Sequence, residues 1–157
     1  MRNVICLAVA AICISPVFAA DPPDFRLWKA EELKRRDAAL STKVGPDHSS
    51  RETLADFGHH RVRYLYRDAD GFPEQHDNIV DLVYVQSGEG TLQLGGTVID
   101  KKASATAGEW VGSRLDGGER HALGAGDVIH IPAGIPHAFL VQKGKHITYV
   151  LVKFPAK

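Results

Sequence analysis

The amino-acid sequence predicts an all-β barrel or sandwich, and three features carry the prediction. Short runs of β-branched and aromatic residues recur from residue 58 to residue 153. Glycine and proline turns separate them, and several runs alternate with a period of two. The 157 residues suffice for one domain, and neither an internal repeat nor an inter-domain linker interrupts the pattern.

Ahead of the barrel, residues 20–57 are expected to form a helical arm. Leu27, Ala30, Leu33 and Leu40 recur at helical spacing, with Glu31, Glu32, Lys34, Arg35 and Arg36 between them. Trp28 is the large apolar anchor, and Gly45-Pro46 ends the run. Such an arm packs over the barrel or onto a second subunit. Ser49 with Glu52 three residues later matches a capping box, which predicts a short helical turn over 51–57.

The barrel is read over residues 58–157. Residues 61–67 form its first strand, with Val62, Tyr64 and Tyr66 on one face and Arg63, Leu65 and Arg67 on the other. A turn follows at 68–71, and another strand begins at 73–76. Residues 81–85 place Asp81, Val83 and Val85 on one face, Leu82 and Tyr84 on the other; Gly88 and Gly90 end that strand. The runs 91–94 and 97–99 flank Gly95-Gly96, a hairpin signal. Residues 101–118 are polar and glycine-rich around Trp110 and Val111, and read as the longest irregular segment, of the kind that often carries function. Strands at 121–123, 128–131, 137–141 and 146–153 complete the order.

Residues 1–19 are read as a secretory signal peptide. Arg2 supplies the positive start, and Val4 opens an eleven-residue apolar run closed by Ser15-Pro16. Val17-Phe18-Ala19 then fits a cleavage site after Ala19. The alternative, a transmembrane anchor, is opposed by the shortness of the run, since a spanning helix needs about 20 apolar residues. Ile12 before Cys13 argues against a lipid anchor. The expected location is therefore the periplasm or the exterior, without a stable membrane anchor. Both cysteines, Cys6 and Cys13, fall inside the signal. The mature chain thus has no disulfide, no cysteine nucleophile and no thiolate ligand.

Lysine plus arginine and aspartate plus glutamate balance at 19 each. No basic block stands out, which argues against nucleic acid as a partner. No basic amphipathic helix points to a membrane surface. The expected partner is a small molecule.

The strongest motif is Gly126, five residues, Pro132-Ala133-Gly134, two residues, then His137. Gly126-Asp127 turns the chain, residues 128–131 are apolar and β-branched, and Pro132-Ala133-Gly134 breaks the strand before it resumes at His137. This pattern resembles the second signature motif of the cupins, which are jelly-roll β-barrels. An altered first motif lies upstream: Glu74-Gln75-His76, four residues, Asp81, six residues, Gly88. The cupin spacing is kept, but Glu74 stands where a first histidine is expected and Asp81 where a glutamate is. Gly71 also lies only three residues before Glu74. The resemblance covers about residues 61–154.

It implies a single cupin barrel with His137 facing inward, often as a metal ligand. Residues two apart on a strand share a face, so Glu74 and His76 point the same way, and His137 is expected to approach from the facing sheet. Two imidazoles with one or two carboxylates suit a divalent ion such as Mn, Fe(II), Ni or Zn. Asp81 is one methylene shorter than glutamate, so either it or Glu74 completes the set, and the spare carboxylate is then a candidate general base. The alternative is a metal-free polar pocket. His130, on the face of Val128, is read as structural or exposed, and His48, His59 and His60 as surface residues. Arg61, Arg63, Arg114 and Arg120 are candidates to hold a carboxylate or phosphate, with Arg63 the leading one. Tyr64 and Trp110 are further ligand-binding candidates, Trp110 as a lid over the mouth or as a residue packed on the arm.

Cupins include oxygenases, isomerases, lyases and epimerases, so a metal-dependent enzyme on a small polar substrate is one functional expectation. A non-catalytic binder of a sugar or organic acid is the second. A structural or storage role is the third. Cupins are often dimers, which makes a homodimer a further expectation.

Overall fold

The computed structural model describes residues 21–157. The segment read as a signal peptide lies outside the described residues. One helix precedes the strands: α1 (Ala30–Ser41). The strands are β1 (Ser49–Asp56), β2 (Arg61–Arg67), β3 (Glu74–His76), β4 (Ile79–Leu94), β5 (Thr97–Ile99), β6 (Lys102–Ala103), β7 (Glu109–Val111), β8 (Arg114–Asp116), β9 (Glu119–Gly124), β10 (Val128–Ile131), β11 (His137–Leu140) and β12 (Ile147–Pro155).

The strands make two antiparallel faces that share β4. One face runs β1-β2-β12-β4-β10, the other β6-β7-β3-β11-β4-β9. The first half of β4 pairs with β12 and β10; its second half pairs with β9 and β11. The break read at Gly88 is therefore a bend inside one long strand. Gly88 has φ +74°, and a Cβ there would lie 2.0 Å from the His146 carbonyl oxygen, so the bend requires glycine. The ladder between β12 and β4 shifts register beside it, between Thr148 and Tyr149, as a bulge does where a strand changes direction.

Alternation puts the apolar side chains between the faces. Leu65, Val83, Val85, Leu92, Leu123, Ile131, Phe139, Val141, Ile147, Tyr149 and Leu151 form one buried cluster. Leu82 and Tyr84 point outward and are exposed. The Phe139 and Tyr149 rings stack 4.7 Å apart across this core.

The arm packs on its own barrel. Leu33 and Leu40 bury against Tyr64, with Trp28, Leu54, Tyr66 and Val150 around them. Asp37 fastens α1 to the sheet, accepting from Ser87 Oγ and Thr148 Oγ1 at 2.6 Å each. Arg36 bridges Glu32 of the helix and Glu52 of β1.

Three local expectations are corrected. Residues 51–57 are not helical: β1 pairs with β2 along its length, and the Ser49 hydroxyl donates to Asp47 rather than capping a turn. Ser50 Oγ donates to the Leu40 carbonyl at 2.7 Å, so the chain after α1 is held as an edge strand beneath the helix. Gly95-Gly96 does not close a hairpin. Leu94 pairs with Glu119 and Thr97 with Asp116, so the β4–β9 ladder continues as β5–β8 across two facing glycine pairs, Gly95-Gly96 and Gly117-Gly118. A Cβ on Gly96 would meet the Asp116 carbonyl oxygen at 2.4 Å, which explains the glycines as a close crossing rather than a turn. Finally, residues 101–118 are not wholly irregular, because β6, β7 and β8 lie within them and β7 pairs with β3.

Candidate metal centre and barrel pocket

The two sequence motifs are tied together by the Pro-x-Gly loop. Gly134 N–H donates to the His76 carbonyl at 2.6 Å, and Gln75 Nε2 donates to the Gly134 carbonyl at 3.0 Å. His137 pairs directly with Glu74 in the β11–β3 ladder. His137 therefore stands on the strand beside β3, not on the facing sheet as expected. The facing sheet supplies Asp81 from β4 and Lys153 from β12, which are themselves direct partners in the β12–β4 ladder.

The side chains converge beside a cavity that Glu74, His76 and Lys153 help to line. Glu74, His76 and His137 each offer a ligating atom, and these atoms lie within 4.8 Å of one another. Asp81 Oδ2 is 3.4 Å from His76 Nε2 and 3.6 Å from His137 Nε2. His76, Asp81 and His137 are each almost wholly buried, whereas Glu74 is half-exposed toward the mouth. The two imidazoles meet edge to face, 5.3 Å apart.

Hydrogen bonding sets the histidine tautomers. His137 Nδ1 lies 3.0 Å from the Ile135 carbonyl oxygen, which only accepts, so Nδ1 carries the hydrogen and Nε2 presents a lone pair to the cluster. A metal-ligating histidine has this arrangement. Lys153 Nζ lies 2.6 Å from His76 Nε2, 3.4 Å from Asp81 Oδ1 and 4.0 Å from Glu74 Oε2. An ammonium only donates, so His76 Nε2 accepts and its Nδ1 bears the hydrogen. That Nδ1 has no hydrogen-bond partner; Glu109 Oε1 is 3.8 Å away.

Burial by itself pushes the Asp81 carboxyl up. The adjoining His137 and His76 imidazoles and the charge of Lys153 outweigh it, and hold Asp81 well below the usual carboxylate range. Asp81 is thus an anion across the physiological range.

The cavity above measures about 440 Å³, within the size range of small-molecule sites. His76, Glu74, Arg63, Arg67, Trp110 and Lys153 are among its walls. Arg63 is where the alternation placed it, on the inward face of β2. Trp110 stands on the rim, its Nε1 donating to Asp77 at 2.9 Å with the Lys101 ammonium 4.7 Å above its ring, so it does not pack on the arm. Tyr64 is corrected: it is fully buried on the opposite face of β2, under α1, and cannot touch a barrel ligand. Arg114 and Arg120 are exposed and outside the cavity, as is His130.

Two residues were missed. Lys153 is in phase with inward-facing Tyr149 and Leu151, and Arg67 is in phase with Arg63 and Leu65. The period-two pattern carried both, but lysine and arginine at strand ends read as solvated.

The donor set fits a divalent ion in kind: two imidazole nitrogens with carboxylate oxygens, one imidazole already oriented by its carbonyl contact. Lys153 Nζ shares the same space. A metal and this ammonium are alternatives at His76 Nε2.

The fold is a cupin-type jelly-roll β-barrel, as solved structures show. The chain is similar to a nucleoside dehydratase from Streptomyces, at 16% identity and TM-score 0.51, covering 72% of this chain and 74% of that one. It is similar to a predicted oxalate decarboxylase from Thermotoga maritima, at 13% identity and TM-score 0.50, over 68% and 80%. It also aligns with the polyketide cyclase RemF of Streptomyces resistomycificus, at 20% identity and TM-score 0.48, over 70% of this chain and 66%, just under two thirds, of RemF. No protein-family model matches the chain, and no curated protein sequence matches it. Among the described residues no helix is long and apolar enough to cross a membrane.

Proposed function

We propose that this protein is an exported cupin enzyme that acts on a small polar molecule in the barrel cavity, at a divalent-metal centre held by His76 and His137 with Glu74 or Asp81. The observation that carries the reading is the convergence of three ligating atoms within 4.8 Å, two of them from Glu74 and His76, which line a cavity of small-molecule size. When bound, a divalent ion there supplies Lewis-acid polarisation of an oxygen on the substrate. Mn, Fe(II), Ni and Zn all accept such nitrogen and oxygen donors.

The chain's own groups do the rest. The Ile135 carbonyl orients His137. Asp81, buried and ionised, lies against both imidazoles and balances the cationic charge. Glu74 is more exposed and lies at the cavity wall, which suits it to take a proton from a bound molecule. Trp110 and Arg63 border the opening. That fold neighbours include a dehydratase and a predicted decarboxylase supports an enzyme rather than a storage barrel. Export rests on the N-terminal apolar run.

Lys153 favours a second reading, in which its ammonium is the resident cation and the pocket works without a metal. Elemental analysis of the protein purified from the periplasm without a metal-binding tag, beside His76→Ala/His137→Ala, separates the two. Near-stoichiometric metal that vanishes in the double variant supports the metal centre. No metal after incubation with Mn, Fe(II), Ni and Zn excludes it and leaves the lysine-based site.

A further inference from the structure

Among the walls of the cavity, Arg67 is out of keeping with its surroundings. It is 8% exposed, yet no carboxylate among the described residues lies within ion-pair distance of it. Its Nε has no hydrogen-bond partner, Nη1 reaches the Asp47 carbonyl at 3.5 Å, and the guanidinium's other neighbour is the neutral Tyr149 hydroxyl. Aspartates and glutamates are nearby but committed elsewhere: Asp47 pairs with Arg51, and Asp81 and Glu74 with Lys153 and the histidines. Arg63, four residues earlier on the same inward face, likewise has no carboxylate partner among the described residues. A buried guanidinium without a counter-charge is costly unless something supplies one.

Gly71 makes room for it. A Cβ on Gly71 would lie 2.7 Å from Arg67 Cζ and Nη1, so the loop passes flat against the guanidinium and holds its plane. Arg67 and His76 line the same cavity, and His76 Nδ1 is, like Arg67 Nε, a buried nitrogen without a hydrogen-bond partner. Unsatisfied buried atoms gathered at one cavity mark the place of a missing ligand.

Resting on the barrel-pocket reading above, we infer that Arg67 binds the oxyanion group of the substrate, a carboxylate or a phosphate, by its planar fork, with Arg63 adding charge near the mouth. The substrate class is thus a small organic anion. Its oxyanion sits at Arg67, and the rest of the molecule reaches toward His76, Glu74 and Lys153. A guanidinium suits this role because its two parallel N–H groups match two oxygens of a carboxylate or phosphate.

Isothermal titration calorimetry with malonate and with inorganic phosphate, on chelator-treated protein, tests the inference. The expected result is saturable binding of at least one probe to the unaltered protein, weakened at least tenfold in Arg67→Gln. Gly71→Ala, which crowds the guanidinium without removing it, weakens binding several-fold, and Arg114→Gln outside the cavity leaves it unchanged. Tighter malonate binding marks a carboxylate substrate, and tighter phosphate binding a phosphorylated one. No binding of either probe, or equal affinity in Arg67→Gln, overturns the inference. Should Arg67→Gln fail to fold, Gly71→Ala decides together with the Arg67 Nε–H resonance of the unaltered protein, which must move on titration. Metal retention at His76 and His137 is measured separately, so loss of one reading leaves the other standing.

Discussion

Lys153 Nζ lies 2.6 Å from His76 Nε2, on the side of the imidazole that a metal ligand must present. The lysine reaches this point because β12 and β4 pair Lys153 directly with Asp81. One strand thus brings a cation to the anion that the histidines share.

A positive charge in contact with a ligand atom opposes a second cation at the same place. Lys153→Met keeps much of the apolar stem and removes the charge. Its affinity for Zn(II), measured by competition with a chromophoric chelator, is expected to rise at least tenfold. Unchanged or weaker binding would show that the ammonium does not compete.

Asp81 has a depressed pKa in the fold, so its charge stabilises the folded state above the unfolded carboxylate value of about 3.9. That contribution is lost as pH falls through the lower folded value. In metal-free protein, Asp81→Asn is expected to be less stable by about 3 kcal/mol at pH 7, because it leaves Lys153 and two imidazoles around a neutral amide. The gap between variant and parent should narrow only below about pH 4. Denaturant titrations from pH 7 to pH 2 check this, and a gap independent of pH would contradict it.

Tyr64 is expected to be structural. Its hydroxyl is buried with no hydrogen-bond partner, and burial, with Asp37 nearby, holds the phenol neutral. Tyr64→Phe removes an unsatisfied oxygen and keeps the ring, so stability should change by less than about 1 kcal/mol or rise. Binding of any pocket ligand should be unaffected; a tenfold loss would return Tyr64 to the site.

Asp37 closes two hydrogen bonds of 2.6 Å from α1 to the barrel, to Ser87 and Thr148. Asp37→Ala strands the fully buried Thr148 hydroxyl and should cost about 2 kcal/mol in thermal or chemical unfolding. Hydrogen exchange should quicken first in residues 30–41, since the helix loses its polar anchor before the sheet does.

Much of the barrel was legible because alternation is a local signal. The inward set Asp81, Val83 and Val85 and the outward set Leu82 and Tyr84 follow from the pleat alone. The Pro132-Ala133-Gly134 break likewise announced His137. Ser49 and Glu52 misled because a capping box and an edge strand use the same residue types; pairing with β2 and contact with Leu40 and Arg36 decided between them. Gly95-Gly96 misled because a turn and a close crossing both call for glycine.

The sequence by itself determined the strand faces, the two motifs and the histidine-carboxylate content of the site, since each depends on spacing along a single strand. Only the tertiary structure decided which strands stand beside one another. That pairing put Lys153 against Asp81 and His76, moved Tyr64 under the helix and left Arg67 buried in the cavity without a counter-charge. Such contacts join residues far apart in the chain, and the period of one strand carries no record of its neighbour.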